Sequence, residues 1–348
     1  MGLTRRTFAA GAAVTAVAVT GADAQSPRTL PAKRPLSLRR GIAIGNALEA
    51  SYEGEWGYKI QRRHLKAILN AGFDHVRLPV KFSIYIGDRP PFTIDPRLLT
   101  RLDEILTWMV EIGLQCVIDV HHFDGISERP DVHEPRLVAI WRQLSARYAH
   151  MPNSIIFEVL NEPRGLLIGE RLRKMYRAVL AEIRPLNPTR PVVLSGDRWG
   201  NSIGLPALVG IDDPYSIATF HYYAPGNFTH QGAWWDKNQS PRMGVKWGTT
   251  ADIRKVQADI ALAAQRARPL GMPVLLGEFG VINTIPDAQR APWYRTVRKA
   301  AESHGMGWTA WQFVVSGHVY DLATEAWKAP IYQALFDRPP PKPAIKAD

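Results

Sequence analysis

The chain has 348 residues, 46% of them hydrophobic, enough to fill one large α/β core or two ordinary ones. Its 43 Lys and Arg against 32 Asp and Glu give a formal charge of +11. The basic residues are scattered among acidic ones and no basic run alternates with stacking aromatics, which argues against a nucleic-acid groove.

The N-terminus reads as an export signal. Thr4-Arg5-Arg6-Thr7-Phe8 precedes an alanine-rich apolar run from Ala9 to Thr20, then Ala22-Asp23-Ala24. Paired arginines before a phenylalanine favour the twin-arginine route over ordinary secretion, with cleavage after Ala24 and a periplasmic or secreted product. The apolar run is too short to cross a bilayer comfortably, so no membrane span is expected. Residues 25–38, rich in Pro, Ser, Arg and Lys, read as a disordered leader, and 338–348, with Pro339-Pro340-Pro341, as a similar tail.

Between them, 39–337 alternates short apolar runs with amphipathic segments. Strands are expected at 40–45, 74–79, 114–120, 154–160, 191–196, 216–220, 273–278 and 306–313. Helices are expected at 57–71, 95–112, 134–150, 169–185, 250–267, 286–304 and 329–336, with only a short helical segment after the fifth strand. Gly72 and Gly113 sit at C-cap positions. The one cysteine, Cys116, lies in the third strand, excludes an intrachain disulfide and reads as core. Eight strand-then-helix units without a hairpin signal predict a single closed (β/α)8 TIM barrel rather than an open doubly wound sheet. No glycine-rich phosphate loop follows the first strand, which lowers a nucleotide-binding alternative.

The fourth strand carries the strongest signal. Ser154-Ile155-Ile156-Phe157-Glu158-Val159-Leu160 is apolar and β-branched enough to be buried on both faces, and it stops on Asn161-Glu162-Pro163. A carboxyl at the end of such a strand is poorly solvated and suits a general acid. Pro273-Val274-Leu275-Leu276-Gly277-Glu278-Phe279-Gly280 repeats the form. In a closed barrel all strand C-termini converge on one face. Reading off those ends gathers Asn46, Glu49, Arg77, His121, His122, Asn161, Glu162, Trp199, His221, Tyr223, Glu278 and Trp311.

Two carboxyls with different neighbours can hold different protonation states. Arg77 and Tyr223 would keep Glu278 ionised, as a nucleophile, while Glu162 would be the proton donor with His221 beside it. Asn161 could donate to a sugar 2-hydroxyl, and Trp311, Trp199, Trp234 and Trp235 offer faces for sugar rings. His121 and His122 raise the question of a metal. Adjacent strand residues point to opposite faces, so the two are not expected to share one inward site, and no metal or other cofactor is expected.

The motifs Gly45-Asn46-Ala47-Leu48-Glu49-Ala50, Val76-Arg77-Leu78-Pro79-Val80, Asp119-Val120-His121-His122, Phe157-Glu158-Val159-Leu160-Asn161-Glu162-Pro163, Phe220-His221-Tyr222-Tyr223, Phe228-Thr229-His230-Gln231-Gly232-Ala233, Gly277-Glu278-Phe279-Gly280 and Trp311-Gln312-Phe313 occur in the order seen in glycoside hydrolase family 5, which the chain resembles from about residue 40 to 336. The resemblance implies a retaining glycosidase with Glu162 as acid/base and Glu278 as nucleophile. It also implies that Arg77, His121, Asn161, His221, Tyr223 and Trp311 support the first sugar subsite. Ala43 and Gln312 depart from a frequent asparagine and glutamate. The reading is an exported endo-β-1,4-glucanase, probable partner a β-linked polysaccharide or oligosaccharide, and a monomer. Mannan, xyloglucan or another β-glycan as substrate, a silent glycan-binding protein and a metal-dependent barrel hydrolase are the alternatives.

Overall fold

The structure is a computed structural model that describes residues 38–342. The expected signal at 1–24, the leader up to residue 37 and the end of the tail lie outside the described residues. The elements run β1 (Arg40–Ala43), α1 (Arg62–Ala71), β2 (His75–Val80), α2 (Pro96–Ile112), β3 (Gln115–Val120), α3 (Pro130–Arg147), β4 (Ile155–Glu158) and α4 (Gly169–Ile183). They continue with β5 (Val192–Ser195), β6 (Ser216–Tyr222), α5 (Gly226–Thr229), α6 (Thr250–Ala267), β7 (Val274–Phe279), α7 (Asp287–Ser303), β8 (Gly307–Ala310), β9 (Tyr320–Asp321), β10 (Ala326–Trp327) and α8 (Ala329–Phe336). Strands β1 to β8 pair in sequence order, all parallel, and β8 returns to β1 to close the barrel. The expected (β/α)8 fold is the fold observed.

Side-chain alternation divides the strands into two environments. Outward residues such as Val76, Leu78, Cys116, Ile118, Ile155, Phe157 and Trp308 are buried under the helices in the main core. The inward set begins apolar, with Leu38, Val117, Ile156, Val193, Ile217 and Leu275 plugging one end of the barrel. Two residues further along β3 to β6 the inward set turns polar, with Asp119, Glu158, Ser195 and Thr219, and the Arg77 side chain of β2 reaches into the same layer; all five are fully buried. The strands therefore carry the chain from a dry plug to a charged layer within one turn of alternation.

Several boundaries differ from expectation. The helix expected from residue 57 begins at Arg62, because Gly54 and Gly57 take left-handed backbone (φ 100° and 81°) and Tyr58 and Ile60 are buried before the helix starts. The eighth strand stops at Ala310, where the chain leaves the sheet through a cis Trp311–Gln312 peptide. A small antiparallel pair, β9 with β10, occupies the last loop and had no sequence signal. The expected C-caps do hold: Gly72 and Gly113 close α1 and α2 with φ 95° and 76°. Beyond α8, Arg338 donates to the carbonyl of Ala71 at 3.0 Å.

Candidate active site

Four of the expected site residues sit at bends that no regular strand end would contain. Asn46, His122, Glu162 and Trp199 all have left-handed backbone, with φ of 60°, 48°, 44° and 63°. Non-glycine residues in this region carry strain that surrounding contacts must hold. Here the contacts are visible for Glu162 and Trp199: the Asn161 N–H donates to the Val120 carbonyl at 2.9 Å, and the Trp199 N–H to the Pro163 carbonyl at 3.1 Å. The opposing wall is set by irregular pairing. Register shifts fall between Phe220 and His221 against β7, and between Leu276 and Phe279 against β8, so Glu278 is aimed by a bulge.

Arg77 is the centre of the charged layer. Its guanidinium donates to both oxygens of Glu158 (2.7 and 2.8 Å), to Asn161 Oδ1 (2.8 Å) and to Glu278 Oε1 (2.5 Å), and lies 2.9 Å from Asp119 Oδ2. One cation thus faces three buried carboxylates. Burial pushes Asp119 and Glu158 up to about 7, against the pull of Arg77. Burial opposes the charge on Arg77 too, but the three carboxylates outweigh it and hold the guanidinium firmly protonated.

Glu278 departs from its neighbours. Burial works to raise its pKa, yet the charges of His221 and Arg77 overcome it and hold the carboxyl below the ordinary range. The Tyr223 hydroxyl donates to its other oxygen at 2.8 Å. Glu162 is less enclosed, with 22% of its side chain reaching solvent, where the sequence suggested a poorly solvated carboxyl. Its Oε1 lies 2.9 Å from His221 Nδ1, and the same nitrogen is 3.5 Å from Glu278 Oε2. Burial lowers the pKa of His221, but Glu278 and Glu162 together raise it above the usual imidazole value. One oxygen from each carboxylate and the imidazole nitrogen all lie within 4.8 Å of one another.

The remaining expected residues are placed differently. Trp311 stacks on His121 with ring centroids 5.7 Å apart and 10° between planes, beside the carboxylates. Asn46 is turned aside: its Oδ1 accepts from Gln312 Nε2, and its backbone N–H donates to Glu49 Oε2. Trp199, 60% exposed, lies under the Arg164 guanidinium 3.9 Å from its ring centre, next to Gly200, where an added Cβ would stand 3.5 Å from both the Glu162 and the His221 side chains. Trp234, 83% exposed, stands apart from the carboxylates; with Trp56, Trp235, His318 and Asp321 it lines an open cleft of roughly 520 Å³. Trp235 and Trp311 share a smaller recess that joins this cleft to Tyr223 and His230.

The expectation that His121 and His122 face opposite ways does not survive. Strand β3 ends at Val120, and the left-handed turn at His122 swings its ring back to the same side. Their rings meet edge to face at 4.2 Å, with Nε2 atoms 3.7 and 3.9 Å from Glu49 Oε1. Burial pushes Glu49 up to about 8, and it lowers both imidazoles, His122 to about 3, leaving them neutral.

Sequence reading missed Asp119 and Glu158 as site residues, although a charge in mid-strand was a signal: a carboxylate there needs a buried partner. It also did not name His230 as a site residue, although His230 lies in the block 228–233 that carries part of the family resemblance; its ring packs against Tyr223 at 5.0 Å.

The chain matches the family model described as cellulase (glycosyl hydrolase family 5) over residues 43–316. It is 31% identical over 319 residues to endoglucanase H of Acetivibrio thermocellus; the match takes in 90% of this chain and 34% of that protein, so the chain spans about a third of the relative's length. A solved endoglucanase superposes with a TM-score of 0.84 at 35% identity, covering 86% of this chain and 97% of its own. Thermotoga maritima Cel5A, solved in complex with mannotriose, gives 0.83 at 33% identity, with 86% and 97% covered.

Proposed function

The chain belongs to the cellulase family, glycosyl hydrolase family 5, and is a glycoside hydrolase; from that premise we propose that it is a retaining endo-β-1,4-glucanase with Glu278 as nucleophile and Glu162 as acid/base. The observation that carries the proposal is the pairing of two unlike carboxylates across one cleft. One oxygen of each lies within 4.8 Å of the other, a close approach that supports the ~5–5.5 Å carboxyl spacing of retaining enzymes over the ~6.5–9.5 Å of inverting ones.

The roles follow from the surroundings. Glu278, held ionised by Arg77 and Tyr223, attacks the anomeric carbon while Glu162 protonates the departing glycosidic oxygen. Glu162 reaches solvent, so water can enter on its side once the leaving sugar has gone. Ionised after giving up its proton, Glu162 takes one from that water, whose oxygen attacks the anomeric carbon and releases Glu278. Asn161, with its Oδ1 engaged by Arg77, presents its amide N–H₂ to the sugar, and Trp311 offers a ring face beside it. Export is part of the same reading and rests on Arg5-Arg6 and the apolar run after them; N-terminal sequencing of the exported protein checks it.

Product anomer analysis on cello-oligosaccharides tests the mechanism: the β-anomer must appear first. Initial release of the α-anomer would remove the double-displacement assignment. A second reading, mannan as substrate, is favoured by the mannotriose complex of the related Cel5A structure. Parallel assays on carboxymethylcellulose and galactomannan separate the two.

A further inference from the structure

Beside the carboxylate pair, the ends of β1 and β3 assemble a second constellation: Glu49, His121 and His122, with one donor atom of each within 4.8 Å of the other two. Glu49 offers a single free oxygen. Its Oε2 accepts from the Asn46 backbone, while Oε1 is buried without a hydrogen-bond partner among the described residues. Such an orphaned buried acceptor is costly unless something binds it.

The two imidazoles are prepared for that role in different ways. His121 is bound through Nδ1 to Asp119 Oδ2 at 2.5 Å, which fixes its ring and turns Nε2 outward. A carboxylate behind an imidazole is how proteins orient a metal-binding histidine. The nearest other group to that Nε2 is the Asn161 amide at 3.5 Å, the outer limit of a hydrogen bond. His122, its side chain 52% exposed, leaves one side of the cluster open.

We propose that Glu49, His121 and His122 form a binding site for a divalent transition metal of the Zn²⁺ type, with its remaining position open to water or a sugar hydroxyl. Two imidazoles and one carboxylate suit zinc, whereas calcium and magnesium need more oxygen ligands. The O···N separations of 3.7 and 3.9 Å exceed the roughly 3.3–3.4 Å edge of a tetrahedron with ~2.0–2.1 Å bonds. Closing these gaps takes a few tenths of an ångström each: the half-exposed His122 ring can supply one, and a small shift of the Glu49 carboxylate the other, since Asp119 holds the His121 ring. Arg77 and Lys81 oppose an incoming cation; Asp119, Glu158 and Glu278 favour it. A metal held there stands against the His121–Trp311 stack, in space a sugar would use, so occupancy opposes hydrolysis. Only this last consequence rests on the glycanase reading.

The test is a Co²⁺ titration of the chelator-stripped full chain, followed by visible d–d absorption. The expected result is a band that saturates at one equivalent, is displaced by Zn²⁺, disappears in His122→Ala and weakens at least tenfold in Glu49→Gln. Circular dichroism of the metal-free variants checks that they fold. Glu278→Gln must keep the band. Absence of a one-equivalent band, its persistence in His122→Ala, or its loss in Glu278→Gln would each overturn the proposal, the last by moving the ion to the carboxylate pair. Hydrolysis by the metal-free wild type is measured separately, so failure here is distinct from failure of the glycanase reading.

Discussion

The Nδ1 atom of His221 lies 2.9 Å from Oε1 of Glu162, and it is close enough to Glu278, at 3.5 Å, to act on both carboxylates at once. A cation there favours the ionised form of Glu278 and supplies the hydrogen bond that aims Glu162. His221→Gln keeps a polar side chain but removes the charge. Glu278 then loses the strongest influence opposing its burial, and its pKa rises. The acidic limb of the kcat/KM profile should move to higher pH, with kcat down by about 10²-fold. An unmoved acidic limb would show that the imidazole does not hold Glu278 ionised.

Replacing Glu278 by Gln removes the proposed nucleophile while keeping its bond to Tyr223 within reach. Turnover should fall by about 10⁴–10⁶-fold, the scale of losing a nucleophile, with oligosaccharide binding retained. Azide should rescue Glu278→Ala and give the α-glycosyl azide, because the small anion attacks from the face that the carboxylate vacated. Ordinary hydrolysis by Glu278→Gln would end the assignment.

The buried charges also set a direction for stability against pH. Asp119 and Glu158 are raised to about 7 and Glu49 to about 8, so the folded state holds these protons more tightly than the unfolded chain does. His221, raised above 6.5, acts the same way. Their contribution is fully present below the unfolded values and is lost as pH rises through the folded ones. Glu278, lowered, contributes oppositely: its share is present above 4.5 and lost only on further acidification. The melting temperature should therefore be several degrees higher at pH 5 than at pH 8, and Glu158→Gln should flatten that slope. Calorimetry at both pH values decides it.

Arg77→Met tests the same layer from its centre. The change leaves Asp119, Glu158 and Glu278 buried around an apolar side chain, a loss on the order of 3–5 kcal/mol in denaturant unfolding at neutral pH. Protonation of the orphaned carboxylates should restore much of this near pH 5. A loss independent of pH would point to packing instead of charge.

How legible this was depended on where each residue's partner lay. The barrel could be read because inward and outward faces are both apolar over the first half of strands such as β4, β5 and β7, giving runs such as Ile155-Ile156-Phe157 that no amphipathic helix resembles. Glu162 and Glu278 could be read because each ends such a run. Asp119 and Glu158 were passed over because their partner, Arg77, lies on another strand and only the pairing of β2, β3 and β4 brings them together. His122 was misjudged for a local reason: alternation was carried two residues past the end of β3, into a left-handed turn where it no longer applies. Histidine is enriched among the few non-glycine residues that take left-handed backbone, but that preference is too weak to mark the bend from sequence.

Gly277, just before Glu278, tests whether the bulge sets the nucleophile's position. A Cβ built there would stand 2.3 Å from Thr219 Oγ1 and 3.4 Å from the His221 ring, inside the barrel where neither can retreat. Gly277→Ala should cost about 1–3 kcal/mol through overpacking and lower kcat by pushing β7 and Glu278 away from Glu162. Thr219→Ala removes the obstructing oxygen, at the expense of its bond to the Leu275 carbonyl at 3.1 Å. The double variant should then regain both stability and kcat relative to Gly277→Ala alone, a coupling of about 1 kcal/mol or more in a double-mutant cycle. Additive losses would mean that Gly277 is needed for its backbone freedom in the bulge and that the contact with Thr219 is incidental.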